Sequence, residues 1–226
     1  MIEIKGICKK YSKHQVLDNV SLSVEPGDCI GILGANGSGK TTLLSIISGI
    51  CKADCGNILI DGKKISTSSK IASKYISYVP QENPLISELS ALDNLRLWYK
   101  GSKKELKKEL ENGILNTLGI NEYANKKVSK MSGGMKKRLS IGIALLEKPA
   151  LLIMDEPSAA LDIAGKFDIR NYMNYYTTKL NGSIIVVSHD QNELSICNKL
   201  FLLKNSKLQQ IDSKLSDEQL VKLIQK

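Results

Sequence analysis

One run of residues constrains this chain more than any other. Gly34-Ala-Asn36-Gly37-Ser38-Gly39-Lys40-Thr41-Thr42 fits the pattern G-x-x-x-x-G-K-[ST]. It lies between Asp28–Leu33, an apolar run that reads as a buried strand, and Lys40–Ile50, which reads as a helix. That strand-to-helix context is what the motif requires. Gly37 and Gly39 allow backbone conformations that a Cβ would obstruct, so successive N–H groups can face a phosphate. The following helix points its positive end at the same group. Lys40 brings a full charge to β/γ-phosphates, and Thr41 offers a hydroxyl to Mg²⁺. Gly34, Asn36, Ser38 and Thr42 complete the expected cradle.

Such a loop needs a carboxylate on a neighbouring strand. Leu151-Leu-Ile-Met154-Asp155-Glu156 supplies one: an apolar run ending in two adjacent acids. Asp155 at the strand end can hold the Mg²⁺ shell. Glu156 comes next and can reach an attacking water as general base.

The rest of the chain alternates strand and helix signals. Met1–Cys8, Val20–Val24, Asn57–Ile60 and Tyr75–Val79 read as short strands. Ala150–Met154 and Ser183–Val187 are continuously apolar and read as central parallel strands covered on both faces. Between about residue 87 and residue 140 the character becomes helical. Leu106, Leu110, Ile114 and Leu118 recur every fourth residue, with Lys and Glu between them. Asn205–Lys226 reads as a strand remnant and a helix. The chain is long enough, at 226 residues, for one sizeable core with a small subdomain. No apolar run reaches the length of a membrane span, and the N-terminus has no secretory signal, so a cytoplasmic address is expected. Cys8, Cys29, Cys51, Cys55 and Cys197 form no recognisable disulfide or zinc framework, and reduced thiols are expected. A net charge of +9 suggests an anionic neighbour. Aromatics are only 5%, with no basic stretch interleaved with them, so nucleic acid is the weaker choice.

Lys130-Met131-Ser132-Gly133-Gly134-Met135-Lys-Lys-Arg138-Leu139, upstream of Asp155, narrows the reading. The arrangement resembles the nucleotide-binding subunit of ATP-binding cassette (ABC) transporters, and the resemblance covers nearly the whole chain. Further elements match in order. Tyr11 stands at the family's adenine-stacking aromatic, Gln81 at the Q-loop, Asp162 in Ala160-Leu-Asp162 at the D-loop, and His189 at the switch histidine. Ser132 also suits a helix N-cap, which binds anions for the same reason that it caps. Departures are Met131 and Met135, where the family has Leu and Gln, and Ala159, where it often has Ser. Met135 cannot make a glutamine's hydrogen bonds. Met at this position, followed by basic residues, is similar to the ABC-2 type exporter branch.

The resemblance implies an α/β fold: a P-loop NTPase core with an N-terminal antiparallel β subdomain and a helical insertion, in one nucleotide-binding domain over 1–226. It implies ATP and Mg²⁺, with Thr41, Gln81 and Asp155 at the metal and Glu156, His189, Gln81 and Lys40 in hydrolysis. It implies a head-to-tail homodimer or heterodimer, each ATP held by Lys40 and Thr41 of one subunit and by Ser132 and Gly134 of the other, with Gly133 between them. It implies a membrane permease as partner, met by Gln81 and the helical insert at the inner face of the cell membrane. The short remainder after His189 leaves little room for a regulatory domain, and with Met135 this favours an exporter. The competing readings are a soluble ABC-type ATPase acting on ribosomes or DNA, and a catalytically weak cassette paired with an active partner. The Lys-rich stretch from Lys100 to Arg138 reads as a solvated face or as a contact with anionic lipid.

Overall fold

The computed structural model describes residues 1–65, 72–159, 161–213 and 217–225. In chain order its strands are β1 (Ile2–Tyr11), β2 (His14–Val24), β3 (Cys29–Leu33), β4 (Cys55–Ile60), β5 (Lys63–Ile65), β6 (Ile76–Val79), β7 (Leu151–Asp155), β8 (Ser183–Val187), β9 (Lys199–Lys204) and β10 (Lys207–Ile211). Its helices are α1 (Lys40–Ile47), α2 (Ala72–Tyr75), α3 (Ala91–Trp98), α4 (Lys103–Asn112), α5 (Ile114–Thr117), α6 (Gly133–Leu145), α7 (Ile163–Thr178), α8 (Gln191–Leu194) and α9 (Asp217–Gln225). Short 3₁₀ turns occur at Ile120–Tyr123 and Val128–Lys130.

The strands form two sheets. The first is antiparallel, in the order β2-β1-β4-β5. On β1 the side chains of Ile2 and Ile4 turn inward, and the shift of register before Ile7 lets Ile7 do the same. The second has the order β10-β9-β3-β8-β7-β6, parallel throughout except that β10 runs antiparallel to β9. Every residue of β3, β7 and β8 is buried, as the unbroken apolar runs require. Their alternate side chains enter different cores. Ile30, Ile32, Leu151, Ile153, Ile185 and Val187 face α1 and the antiparallel sheet. Leu152, Met154, Ile184 and Val186 face the side that α6 and α7 cover.

Several boundaries differ from the sequence expectation, each for a local reason. The helix begun at Lys40 stops at Ile47, where Gly49 takes φ 79° and turns the chain. The fourfold repeat Leu106, Leu110, Ile114, Leu118 is not one helix. Gly113 is extended between α4 and α5, and the Glu109 carboxylate accepts from the Ile114 N–H at 3.0 Å, stabilising the break. Within the Lys-rich stretch Lys137 is buried and so leaves the solvated face, and the partly exposed Arg138 pairs with Asp168. The cysteines are also corrected. β1 and β4 place Cys8 opposite Cys55, with Cα atoms 5.0 Å apart, and the two are joined as a disulfide. Cys29, Cys51 and Cys197 are free. No helix among the described residues is long and apolar enough to cross a membrane.

Candidate functional site

The parallel register sets β3, β8, β7 and β6 side by side, so their carboxyl ends share one edge. Ile32 is level with Val187, Val187 with Asp155, and Met154 with Val79. Each strand then releases a loop into the same crevice, the usual place for a ligand on an open α/β sheet. From β3 comes the glycine-rich loop, from β7 Glu156, from β8 Ser188 and His189, and from β6 Pro80 and Gln81.

The loop needs its glycines for two distinct reasons. Gly37 takes φ 79° in open space, so conformation alone demands glycine. Gly39 takes φ 103°, and a Cβ there would lie 2.7 Å from Val16 Cγ1, so close packing demands it too. Gly39 is the N-cap of α1 and has no side-chain cap, which leaves the first N–H groups of the helix for a ligand. Lys40 is buried, and its Nζ donates to the carbonyls of Gly34 at 2.6 Å and Ala35 at 3.0 Å. Burial lowers its pKa, opposed by the charges of Glu156 and Asp155.

Thr41 Oγ1 donates to Asp155 Oδ2 at 2.9 Å. The same oxygen accepts from the Tyr78 hydroxyl at 3.2 Å. Burial and the Asp155 charge push the Tyr78 pKa upward, which keeps it a donor. Glu156 follows with φ 48°, and its N–H donates to Val187 O at 2.8 Å. Its carboxylate lies 3.3 Å from His189 Nε2. Burial raises the Glu156 pKa, and His189 pulls it back.

A cavity of about 630 Å³ gathers most of the expected residues. Asn36, Gly37, Gly39, Lys40, Thr41 and Thr42 line one side, and Gln81, Asp155, Glu156 and His189 the other. Tyr11 stands at the rim, half exposed, with its hydroxyl 3.6 Å from Cys51 Sγ. Ala159, Val16 and Val187 also line it. The last two gave no sequence signal, because an apolar residue at a strand end looks like core. Tyr78 was missed for the same reason.

Other expected residues lie elsewhere. Gly34 touches the site through its carbonyl, and Ser38 lines a smaller cavity on the outer face of the loop. Ser132 caps α6, accepting from the Met135 N–H at 3.3 Å, with Gly133 and Gly134 as the first helical residues. None of these three lines the cavity of this chain. Asp162 is the N-cap of α7, accepting from the Gly165 N–H at 2.8 Å, and is also outside the cavity. Ala160 lies outside the described residues.

The chemistry of the crevice is selective. Free N–H groups, a helix N-terminus and a buried ammonium suit a polyphosphate. The adjoining Thr41 and Asp155 oxygens are hard donors of the kind that Mg²⁺ takes.

Comparison with known proteins agrees. The ABC transporter family profile matches residues 17–159. The linearmycin resistance ATP-binding protein LnrL of Bacillus subtilis (strain 168) is 35% identical over 221 residues, covering 95% of this chain and 70% of that protein. A probable sulfate/thiosulfate import ATP-binding protein, CysA of Chlorella vulgaris, is 32% identical, covering 96% of this chain and 93% of that protein. The dimeric ATP-binding cassette MJ0796, in a post-hydrolysis state bound to ADP and Pi, superposes with a TM-score of 0.82 at 27% identity, over 96% of this chain and 100% of that one. With the phosphate loop, the acidic strand end and the histidine converging on one crevice, the chain belongs to the ABC transporter family, as one of its ATP-binding, ATP-hydrolysing subunits.

Proposed function

We propose that this chain drives an exporter from the inner face of the cell membrane, pairing with a second cassette and with a transmembrane permease. The observation that carries the catalytic part is the Glu156–His189 contact of 3.3 Å at the wall of the cavity that holds Lys40. Glu156 takes the proton of the water that attacks the γ-phosphorus, as the bond from that phosphorus to the β,γ-bridging oxygen breaks. His189 holds the Glu156 carboxylate in place and faces the γ-phosphate. Lys40 and the N–H groups of the loop balance the charge that develops on the phosphate oxygens. Thr41 and Asp155 would hold Mg²⁺, with Gln81 beside them, and Tyr11 would stack on adenine. When bound, Mg²⁺ neutralises the β/γ-oxygens.

Association follows from the same electrostatics. The capped end of α6 at Ser132, Gly133 and Gly134 presents helix N-terminal N–H groups but does not line the cavity that holds Lys40. We assign it to the ATP of a second cassette, with Asp162 near the shared boundary. Outward transport is supported by Met135 and the basic residues after it, and by the linearmycin resistance in the name of LnrL, while a protein named for import also matches.

The test is purification of the tagged chain from native membranes. A polytopic membrane protein is expected to co-purify and to stimulate its ATP turnover. Reconstituted in inside-out vesicles, the pair is expected to accumulate cargo inside when ATP is added outside. Recovery only with ribosomes or DNA-bound proteins overturns the transporter role, and loss of cargo from such vesicles overturns export.

A further inference from the structure

Lys137 is among the largest buried side chains of the described residues, at 2% exposure, although it is a lysine in a basic run. Its Nζ donates to the carbonyl of Pro80 at 3.0 Å and to the carbonyl of Gln81 at 2.9 Å. These two carbonyls lie just past the end of β6, where the ladder can no longer pair them. Buried acceptors need donors, and one ammonium supplies both. Among the described residues no carboxylate forms an ion pair with Lys137. Its charge is balanced at longer range by Asp155 and by the fully buried Glu193 of α8. Burial lowers its pKa to about 8 despite both. Taking an ammonium out of water in this way is expensive.

The position of the ammonium gives the charge a use. Lys137 lies one turn beyond Ser132–Gly134 on α6. The backbone that it grips carries Gln81, which lines the cavity together with Thr41 and Asp155. One side chain therefore ties the signature end of α6, which serves a partner's nucleotide, to the segment that serves this chain's own. We propose that Lys137 is a positioning residue for ATP hydrolysis: it fastens the Gln81 backbone to α6, so that a shift of the signature end moves Gln81 relative to Thr41 and Asp155. The proposal rests on Gln81 belonging to the nucleotide site. Gln81→Ala tests that reading separately, because it leaves Lys137 in place.

The experiment compares Lys137→Met, one atom shorter than lysine and without donors, with Lys137→Gln, shortened equally but keeping two N–H donors. Each full-length variant is assayed for kcat and KM in phosphate release, for affinity toward a fluorescent ATP analogue, and for melting temperature. Lys137→Met is expected to lower kcat at least about tenfold, as misplacement near a reacting centre does. Its nucleotide affinity is expected to stay within about threefold, because Lys137 does not line the nucleotide cavity. Its melting temperature is expected to fall by only a few degrees, because two buried carbonyls lose their donor while the cost of burying the ammonium is removed. Lys137→Gln is expected to recover part of kcat. Wild-type kcat in Lys137→Met overturns the proposal. So does a parallel fall of kcat, affinity and melting temperature in both variants, which is the mark of a merely structural residue. Should Lys137→Met fail to fold, Lys137→Gln decides alone: lowered kcat with intact binding supports the proposal, and wild-type kcat overturns it.

Discussion

Glu156 adopts φ 48°, a left-handed conformation that a non-glycine residue holds only when its surroundings fix it. Here the Val187 carbonyl fixes its N–H, and the carboxylate is left facing His189. Glu156→Gln keeps the shape and removes the proposed base. Phosphate release is expected to fall about 10²–10⁴-fold, while affinity for an ATP analogue stays near wild type. Tyr78 acts one step behind, through Asp155 Oδ2. Tyr78→Phe deletes one hydrogen bond to that oxygen, worth about 1 kcal/mol. A titration is expected to show the Mg²⁺ needed for half-maximal turnover rising about fivefold, by that energy, with Mg²⁺-free nucleotide binding unchanged. At this scale the sequence was legible where chemistry demands an unusual pattern, as in Gly34–Thr42 or Asp155-Glu156. It was opaque where a residue has a common guise. Tyr78 is an aromatic in an apolar strand, and Lys137 is a lysine among lysines. Only their neighbours in space show what they do.

The elements depend on how their ends are tied. Asp28, just before β3, accepts from Lys199 Nζ at 2.6 Å, Asn198 Nδ2 at 2.8 Å and the Glu25 N–H at 2.7 Å. It therefore joins the start of β3 to the start of β9. Burial alone would raise its pKa, but these bonds overcome burial and hold the carboxyl below the ordinary range. A carboxylate lowered on folding adds stability at neutral pH, and this is lost as pH falls through the folded value. Asp28→Asn is expected to cost about 1–3 kcal/mol at neutral pH. In denaturant titrations the gap from wild type is expected to close as pH drops below the ordinary carboxylate range. The interiors of β3, β7 and β8 were readable from unbroken apolar runs. Strand β9 was not read, and the split between α4 and α5 was not seen. That split depends on the Glu109 carboxylate reaching forward past Gly113, a contact that a fourfold repeat of leucines does not report.

At the scale of the whole molecule, the two-sheet plan follows from burial on both faces of the parallel strands, which demands a layer on either side. The order of strands, and the pairing of Cys8 with Cys55 across 47 residues of sequence, are long-range facts. Local pattern carries no information about them. The family resemblance supplied the architecture, but not which residues tie its parts together. The capped end of α6 does not line the cavity of its own chain, so on the proposed pairing a single molecule carries two halves of different sites. Glu156→Gln with ATP is expected to run as a dimer in light scattering, and Ser132→Tyr in that background as a monomer. The consequence is kinetic. On the proposed pairing a lone chain is an incomplete catalyst, so the rate in dilute solution is expected to rise with the square of protein concentration and turn linear only when pairs saturate. Activity per milligram then becomes a measure of crowding, and a permease that gathers two cassettes in one place acts by raising their local concentration.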